Sequence, residues 1–169
     1  MTDLVKFQIP AQYVLDHTHP TLAELVYGYR HGWLTAADTV AIAMSRLEEN
    51  RTTQPLEEEL ALLRPAELDQ VSGLVSLLEQ AIAPLDTSES LWLFLAIAWL
   101  WDHRGALADP LGIVEMIYAD FGYPAEIASL VRYMPPPSGA APAGIPEIHG
   151  RWRRYVEEQT RRYRDRRPD

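Results

Sequence analysis

The chain has 169 residues, a length that predicts one domain with at most a short appendage. Apolar residues make up 47% and charged residues 23%, the profile of an ordinary soluble globular protein. There is no cysteine, which excludes disulfides, thiolate catalysis and cysteine-based zinc sites, and Lys plus Arg (15) against Asp plus Glu (24) leaves a net charge of -9.

The opening residues Met1-Thr2-Asp3-Leu4 lack a basic segment followed by an apolar one, so no signal peptide is expected. The longest apolar run, Leu91 to Trp101, is about half of the roughly 20 residues needed to span a bilayer. The expectation is a cytoplasmic protein that is not in the membrane. Val5, Phe7 and Ile9 alternate and Pro10 stops them, so residues 4–17 read as an extended arm with at most one short strand.

The first helix follows Pro20. Thr21 and Glu24 have capping-box spacing, Leu22, Leu25, Val26 and Tyr29 form one stripe, and Gly32 is a natural stop. Thr35 and Asp38 repeat the cap, with Val40, Ala43, Met44 and Leu47 as the next stripe, so the two helices should form a hairpin. A loop at 50–55 leads to a short helix over 56–63. Pro65 opens another, with Leu68, Val71, Val75, Leu78 and Ile82 on its face, and Pro84 ends it.

Thr87 or Ser88 caps the run from Leu91 to Trp101, which is apolar on every side and belongs at the centre of a bundle. Gly105 is expected to close it. Asp109-Pro110 is a strong start signal for a helix buried through Leu111, Val114, Ile117, Tyr118 and Phe121 and ended by Gly122. Pro124 opens one more, with Ile127, Leu130, Val131 and Met134, before Pro135-Pro136-Pro137. Strand signals are nearly absent. The fold class is therefore all-α: a compact bundle or array of about seven helices with a short extended N-terminal arm and a C-terminal helical tail.

Residues 1–135 read as the helical domain. The stretch 136–150 has linker composition, since residues 135–150 hold five prolines and three glycines. Residues 151–169 form a tail with eight arginines and a stripe of Trp152, Tyr155, Val156 and Tyr163. Charge divides the same way: residues 1–150 carry 7 basic and 20 acidic side chains (-13), the tail 8 and 4 (+4). The acidic body suits a partner with a basic surface. For the tail three readings stand: it folds back on the body, it is a solvated end, or it binds a polyanion, with contacts through Arg151, Trp152, Arg153, Arg154 and Tyr155. Nucleic acid is expected nowhere else.

Catalytic signatures are missing: there is no phosphate-binding glycine loop, nucleophile elbow or zinc-binding His pair. Asp16, His17 and His19 are metal-ligand types, but their spacing in a turn favours structure, and no metal or cofactor is expected. Asp102 and His103 point about 100° apart on a helix, and His103 suits the helix C-terminus. The corner from Asp120 to Pro135 reads first as a rigid helix–helix corner and second as a polar-aromatic binding patch made by Asp120, Tyr123, Glu126, Arg132 and Tyr133, where Arg132 could pair with a carboxylate of the corner.

At this corner the chain resembles a bacterial family, domain-of-unknown-function family 2247. The resemblance rests on Asp109-Pro110-Leu111, Val114-Glu115, Tyr118-Ala119-Asp120-Phe121, Tyr123-Pro124 and Val131-Arg132-Tyr133-Met134-Pro135, with Gly28-Tyr29-Arg30 and Gly32-Trp33 upstream. It spans about residues 4–135 and implies a small helical protein with no assigned activity. Small acidic proteins of this kind are suspected as immunity proteins for secreted toxins. The leading expectation is thus a non-catalytic protein-binding module of that type. The alternatives are an enzyme or ligand-binding domain around Asp102, His103, Glu115, Asp120 and Arg132, and a nucleic-acid or scaffold role through the tail.

Overall fold

A computed structural model describes residues 7–83, 88–135 and 144–167. Val5, Pro84, Thr87 and most of the proline-rich stretch lie outside the described residues. The described residues hold eight α-helices, three 3-10 turns and no strand, so the protein is all-α. Two compact units are present: Phe7–Trp92 together with the tail from Tyr163, and Leu93–Arg162.

In the first unit the extended arm is shorter than expected. Residues Ala11–His17 form helix α1. Its first amide is satisfied from afar, as Ala11 N–H donates to Asp38 Oδ1 at 3.0 Å. Helices α2 (Leu22–Arg30) and α3 (Ala36–Glu48) start with the expected capping boxes at Thr21/Glu24 and Thr35/Asp38. Gly32 ends α2 with φ +76°, and the Gly32 and Trp33 amides return to the Tyr29 and Gly28 carbonyls. Asn50 (φ +57°) closes α3 in the same way.

The buried face of α3 is Thr39, Ile42, Ala43 and Arg46, which is rotated from the expected stripe of Val40, Ala43, Met44 and Leu47. Arg46 causes the difference: its guanidinium is fully buried against Glu57, also fully buried, at 2.6 Å. It further donates to the carbonyls of Pro20 (2.7 Å) and Arg51 (3.0 Å).

Helix α4 spans Pro55–Ala61. The single helix expected after Pro65 is instead a 3-10 turn, Pro65–Gln70, running into α5, Val71–Ala81. Trp92, fully buried, stacks on Trp33 (centroids 6.5 Å apart, 10° between planes) and donates its indole N–H to Glu24 O at 2.8 Å. Near the end of the tail, Arg166 grips Glu24 with bonds of 2.7 and 2.8 Å and donates to His19 O at 2.6 Å. Arg164 donates to Asp16 O at 3.0 Å.

Helix α6 (Ser88–His103) carries the apolar run, and Leu91 to Ala98 are buried without exception. Gly105 does not close it by a left-handed residue, since α6 tightens into a 3-10 turn, Arg104–Ala106. In the second unit, α7 (Pro110–Asp120) begins as expected, with Asp109 Oδ1 accepting the Gly112 amide at 3.1 Å. The helix expected after Pro124 is a 3-10 turn, Ala125–Leu130. Helix α8 spans Ile145–Arg164, so the helical tail starts six residues before Arg151. Trp152 is fully buried and its indole donates to Ile97 O at 3.0 Å.

Candidate functional site

The corner lies in the second unit, at the C-terminal end of α7 and the 3-10 turn behind it. Gly122 (φ +71°) ends α7, with the Gly122 and Tyr123 amides donating to the Ala119 and Tyr118 carbonyls. Tyr123 follows in the same left-handed region (φ +62°) and is 63% exposed. A left-handed backbone costs an L-residue other than glycine about 1–2 kcal/mol. The chain accepts this strain and presents the ring edge-on to Tyr118, centroids 5.3 Å apart.

Arg132 is held by two carboxylates, Glu115 and Asp109, neither of which lies in the Asp120–Pro135 segment where the sequence placed its partner. Its Nε and Nη2 donate to Glu115 Oε1 and Oε2 at 2.8 and 3.0 Å, a fork-to-fork pair. Nη1 and Nη2 also reach Asp109 Oδ1 and Oδ2 at 3.3 and 3.2 Å. The Arg132 amide adds a bond to Glu115 Oε1 at 3.3 Å. The hydrogen bonds from Arg132 lower the Glu115 pKa. Asp109 is lowered first by the Gly112 amide and then by Arg132. The same contacts, Glu115 foremost, raise Arg132. The clamp leaves no room for a side chain at Gly112, where a Cβ would sit 2.4 Å from Asp109 Oδ2.

Next to Arg132 in sequence, Tyr133 is 62% exposed. Its hydroxyl pKa is raised, mostly by desolvation and then by Glu115, Tyr118 and Tyr123, all within electrostatic reach. The corner therefore brings Tyr123 to Tyr118 and Arg132 to Glu115, with Tyr133 next to Arg132 along the chain. Asp120 does not join this group at the surface. It is buried on the face of α7 that carries Ile117. Glu126 keeps an exposed edge, yet desolvation raises its pKa against the opposing charge of Arg162.

The histidines repeat one structural device. His17, His31 and His103 each close a helix, stack on an aromatic ring four residues back and pair Nδ1 with that residue's carbonyl. The partners are Tyr13 (rings 4.0 Å, bond 2.8 Å), Tyr27 (3.8 and 3.0 Å) and Trp99 (3.8 and 2.8 Å). Against a carbonyl, Nδ1 is the donor. The spacing aromatic-x-x-x-His is visible in the sequence at all three places and was not among the signals read there. Among the described residues, no group of three or more His, Asp or Glu side chains converges as a metal site, Asp16, His17 and His19 included.

The tail residues divide by helix face. Trp152 and Tyr155 are buried. Arg151 Nη1 donates to Ser129 O at 3.4 Å, Arg153 lies 3.8 Å from Glu157, and Arg154 is exposed. The outer face alternates in sign at four-residue steps, Arg153-Glu157-Arg161-Asp165 and Arg154-Glu158-Arg162. This spacing was legible, but a count of arginines hides it.

No helix among the described residues is long and apolar enough to cross a membrane. No curated protein and no solved structure matches this chain. A family model does, over residues 11–160, which carries the likeness beyond residue 135, through the proline-rich stretch and into α8. The chain belongs to that family, described as an uncharacterized protein conserved in bacteria (DUF2247).

Proposed function

We propose that this chain is a cytoplasmic, non-catalytic protein-binding module, of the kind that neutralises a toxin as its immunity protein, and that the corner at the end of α7 meets a partner with a basic surface. The observation that carries the reading is the pair of tyrosines, Tyr123 and Tyr133, left more than 60% exposed beside a fixed Arg–carboxylate clamp. Tyrosine and arginine are the side chains that concentrate binding energy at protein interfaces. The net charge of -9 favours fast encounter with a basic partner. A catalytic reading gains little support here. Glu115 and Arg132 are engaged with each other, and His103 is turned to its own helix.

The test is co-purification of the full chain with the products of neighbouring genes, followed by titration of any complex. The expected result is a complex that weakens as salt rises and loses at least about tenfold in affinity on Tyr133→Ala, a change of interface hot-spot size. Absence of binding to every neighbouring product, or a complex indifferent to Tyr123 and Tyr133, overturns the reading.

A further inference from the structure

The turn before α2 carries a socket that the chain fills itself. We infer that Glu24 and the His19 carbonyl form a preformed guanidinium site, that Arg166 is its internal occupant, and that with Arg166 withdrawn the site takes the guanidinium of a partner's arginine. All three residues belong to the unit of residues 7–92 and the tail from Tyr163. The inference goes beyond the binding reading above, which concerns the other unit, and does not depend on it.

The socket is built without Arg166. The Glu24 side chain is 1% exposed. Its Oε2 accepts the Thr21 amide at 2.8 Å, closing the capping box, and its main-chain carbonyl accepts the Trp92 indole at 2.8 Å. Helix α2 and Trp92 thus aim the carboxylate before any cation arrives. The neighbouring carbonyls are fixed as well, since Arg51 Nη2 donates to His19 O at 3.3 Å and to Pro20 O at 3.0 Å, and Arg46 donates to Pro20 O at 2.7 Å. The occupant shows what the site fits. Arg166 Nη1 and Nη2 meet Glu24 Oε1 and Oε2 at 2.7 and 2.8 Å, and Nη2 also donates to His19 O at 2.6 Å. A paired bond to one carboxylate with a third acceptor beside it matches the planar fork of a guanidinium, whereas an ammonium binds as a point charge. The Tyr163 ring, its centroid 5.2 Å from the Arg166 guanidinium carbon, adds an aromatic wall.

Of the three arginines around this turn, Arg46 and Arg51 are buried and held inside. Arg166 is 29% exposed and lies beyond Arg164, the last residue of α8, so withdrawing it breaks no helical bond. A buried carboxylate that loses its cation is costly, and an emptied socket therefore favours another one.

The experiment melts the full chain as wild type, Arg166→Ala and Arg166→Ala/Glu24→Gln, each alone and with about 100 mM ethylguanidinium, ethylammonium or the neutral ethylurea. Arg166→Ala is expected to melt about 5 °C below the wild type. Ethylguanidinium, binding with a dissociation constant on the order of tens of millimolar, should return about 2 °C or more relative to its effect on the wild type, whose socket is filled. Ethylammonium should return less and ethylurea nothing. The double variant keeps the capping box, in which glutamine also serves, and removes the buried charge; it should melt above Arg166→Ala and ignore the probe. If Arg166→Ala alone is unfolded, ethylguanidinium must refold it. An unchanged melt of Arg166→Ala, a probe effect equal in variant and wild type, equal rescue by ethylammonium, or a double variant that still responds overturns the inference.

Discussion

Gly28 faces Trp92 so closely that a Cβ there would lie 2.0 Å from the indole ring. Trp92 cannot retreat, because it is fully buried, stacked on Trp33 and bonded to the Glu24 carbonyl. Gly28→Ala is therefore expected to destabilise by about 2 kcal/mol or more, overpacking outweighing the roughly 1 kcal/mol that alanine gains in a helix. Urea unfolding measures it, and a stabilised variant would contradict the packing. The same indole ties Gly28 and Trp33 into one packed cluster. Arg46 is the second decisive residue. Arg46→Ala would remove the guanidinium that neutralises the buried Glu57 carboxylate and withdraw a donor from the Pro20 and Arg51 carbonyls, an expected loss of about 3–5 kcal/mol in the same measurement. Sequence reading missed this pair for a physical reason: an arginine four residues after Ile42 reads as a solvated position, and the true stripe of α3 disappears behind it.

At the scale of elements, what was legible was local. The caps at Thr21, Thr35 and Asp109 lie within three residues of the amides they satisfy, so spacing alone placed three helix starts. Helix α1 was not legible, because its first amide is capped by Asp38, 27 residues away. The 3-10 turns at 65–70 and 125–130 keep helical patterns of apolar residues while using a tighter ladder, a distinction that periodicity does not make. In the corner, pairing of Arg132 with a carboxylate was readable, but the identity of the carboxylate depended on helix phase. Asp120 shares a face with Ile117, three residues back, and is drawn inward, while Glu115 stands at the rim.

The clamp between α7 and the segment after the 3-10 turn has a pH signature. Glu115 and Asp109 both have lowered pKa values in the folded chain. A lowered carboxylate pKa stabilises above the unfolded value, about 4, and that contribution disappears as pH falls through the folded value. Melting temperatures of the wild type and Glu115→Gln should therefore differ at neutral pH and converge in acid. A constant difference down to about pH 2 would contradict the clamp. The effect is modest, since Arg132 and Asp109 are partly exposed.

For the whole molecule, the charge contrast is -13 over residues 1–150 against +4 over residues 151–169. Among the tail's arginines, Arg151, Arg164 and Arg166 bond to carbonyls of the chain, Arg166 also grips Glu24, and the outer face of α8 alternates in sign. A segment arranged in this way has little free positive field. The full chain is expected to pass through immobilised heparin at about physiological ionic strength without retention. Retention that salt removes would restore the polyanion reading.

The two fully buried tryptophans offer a different kind of access to this protein. Trp92 belongs to the unit of residues 7–92 and Trp152 to that of 93–162, and each indole N–H is bonded to a main-chain carbonyl within its own unit. Such a proton exchanges with solvent only when its surroundings open. The two indole resonances are thus a pair of clocks, one in each unit. The ratio of their exchange rates in deuterated water compares the opening free energies of the two units in one sample, with no mutation and no denaturant.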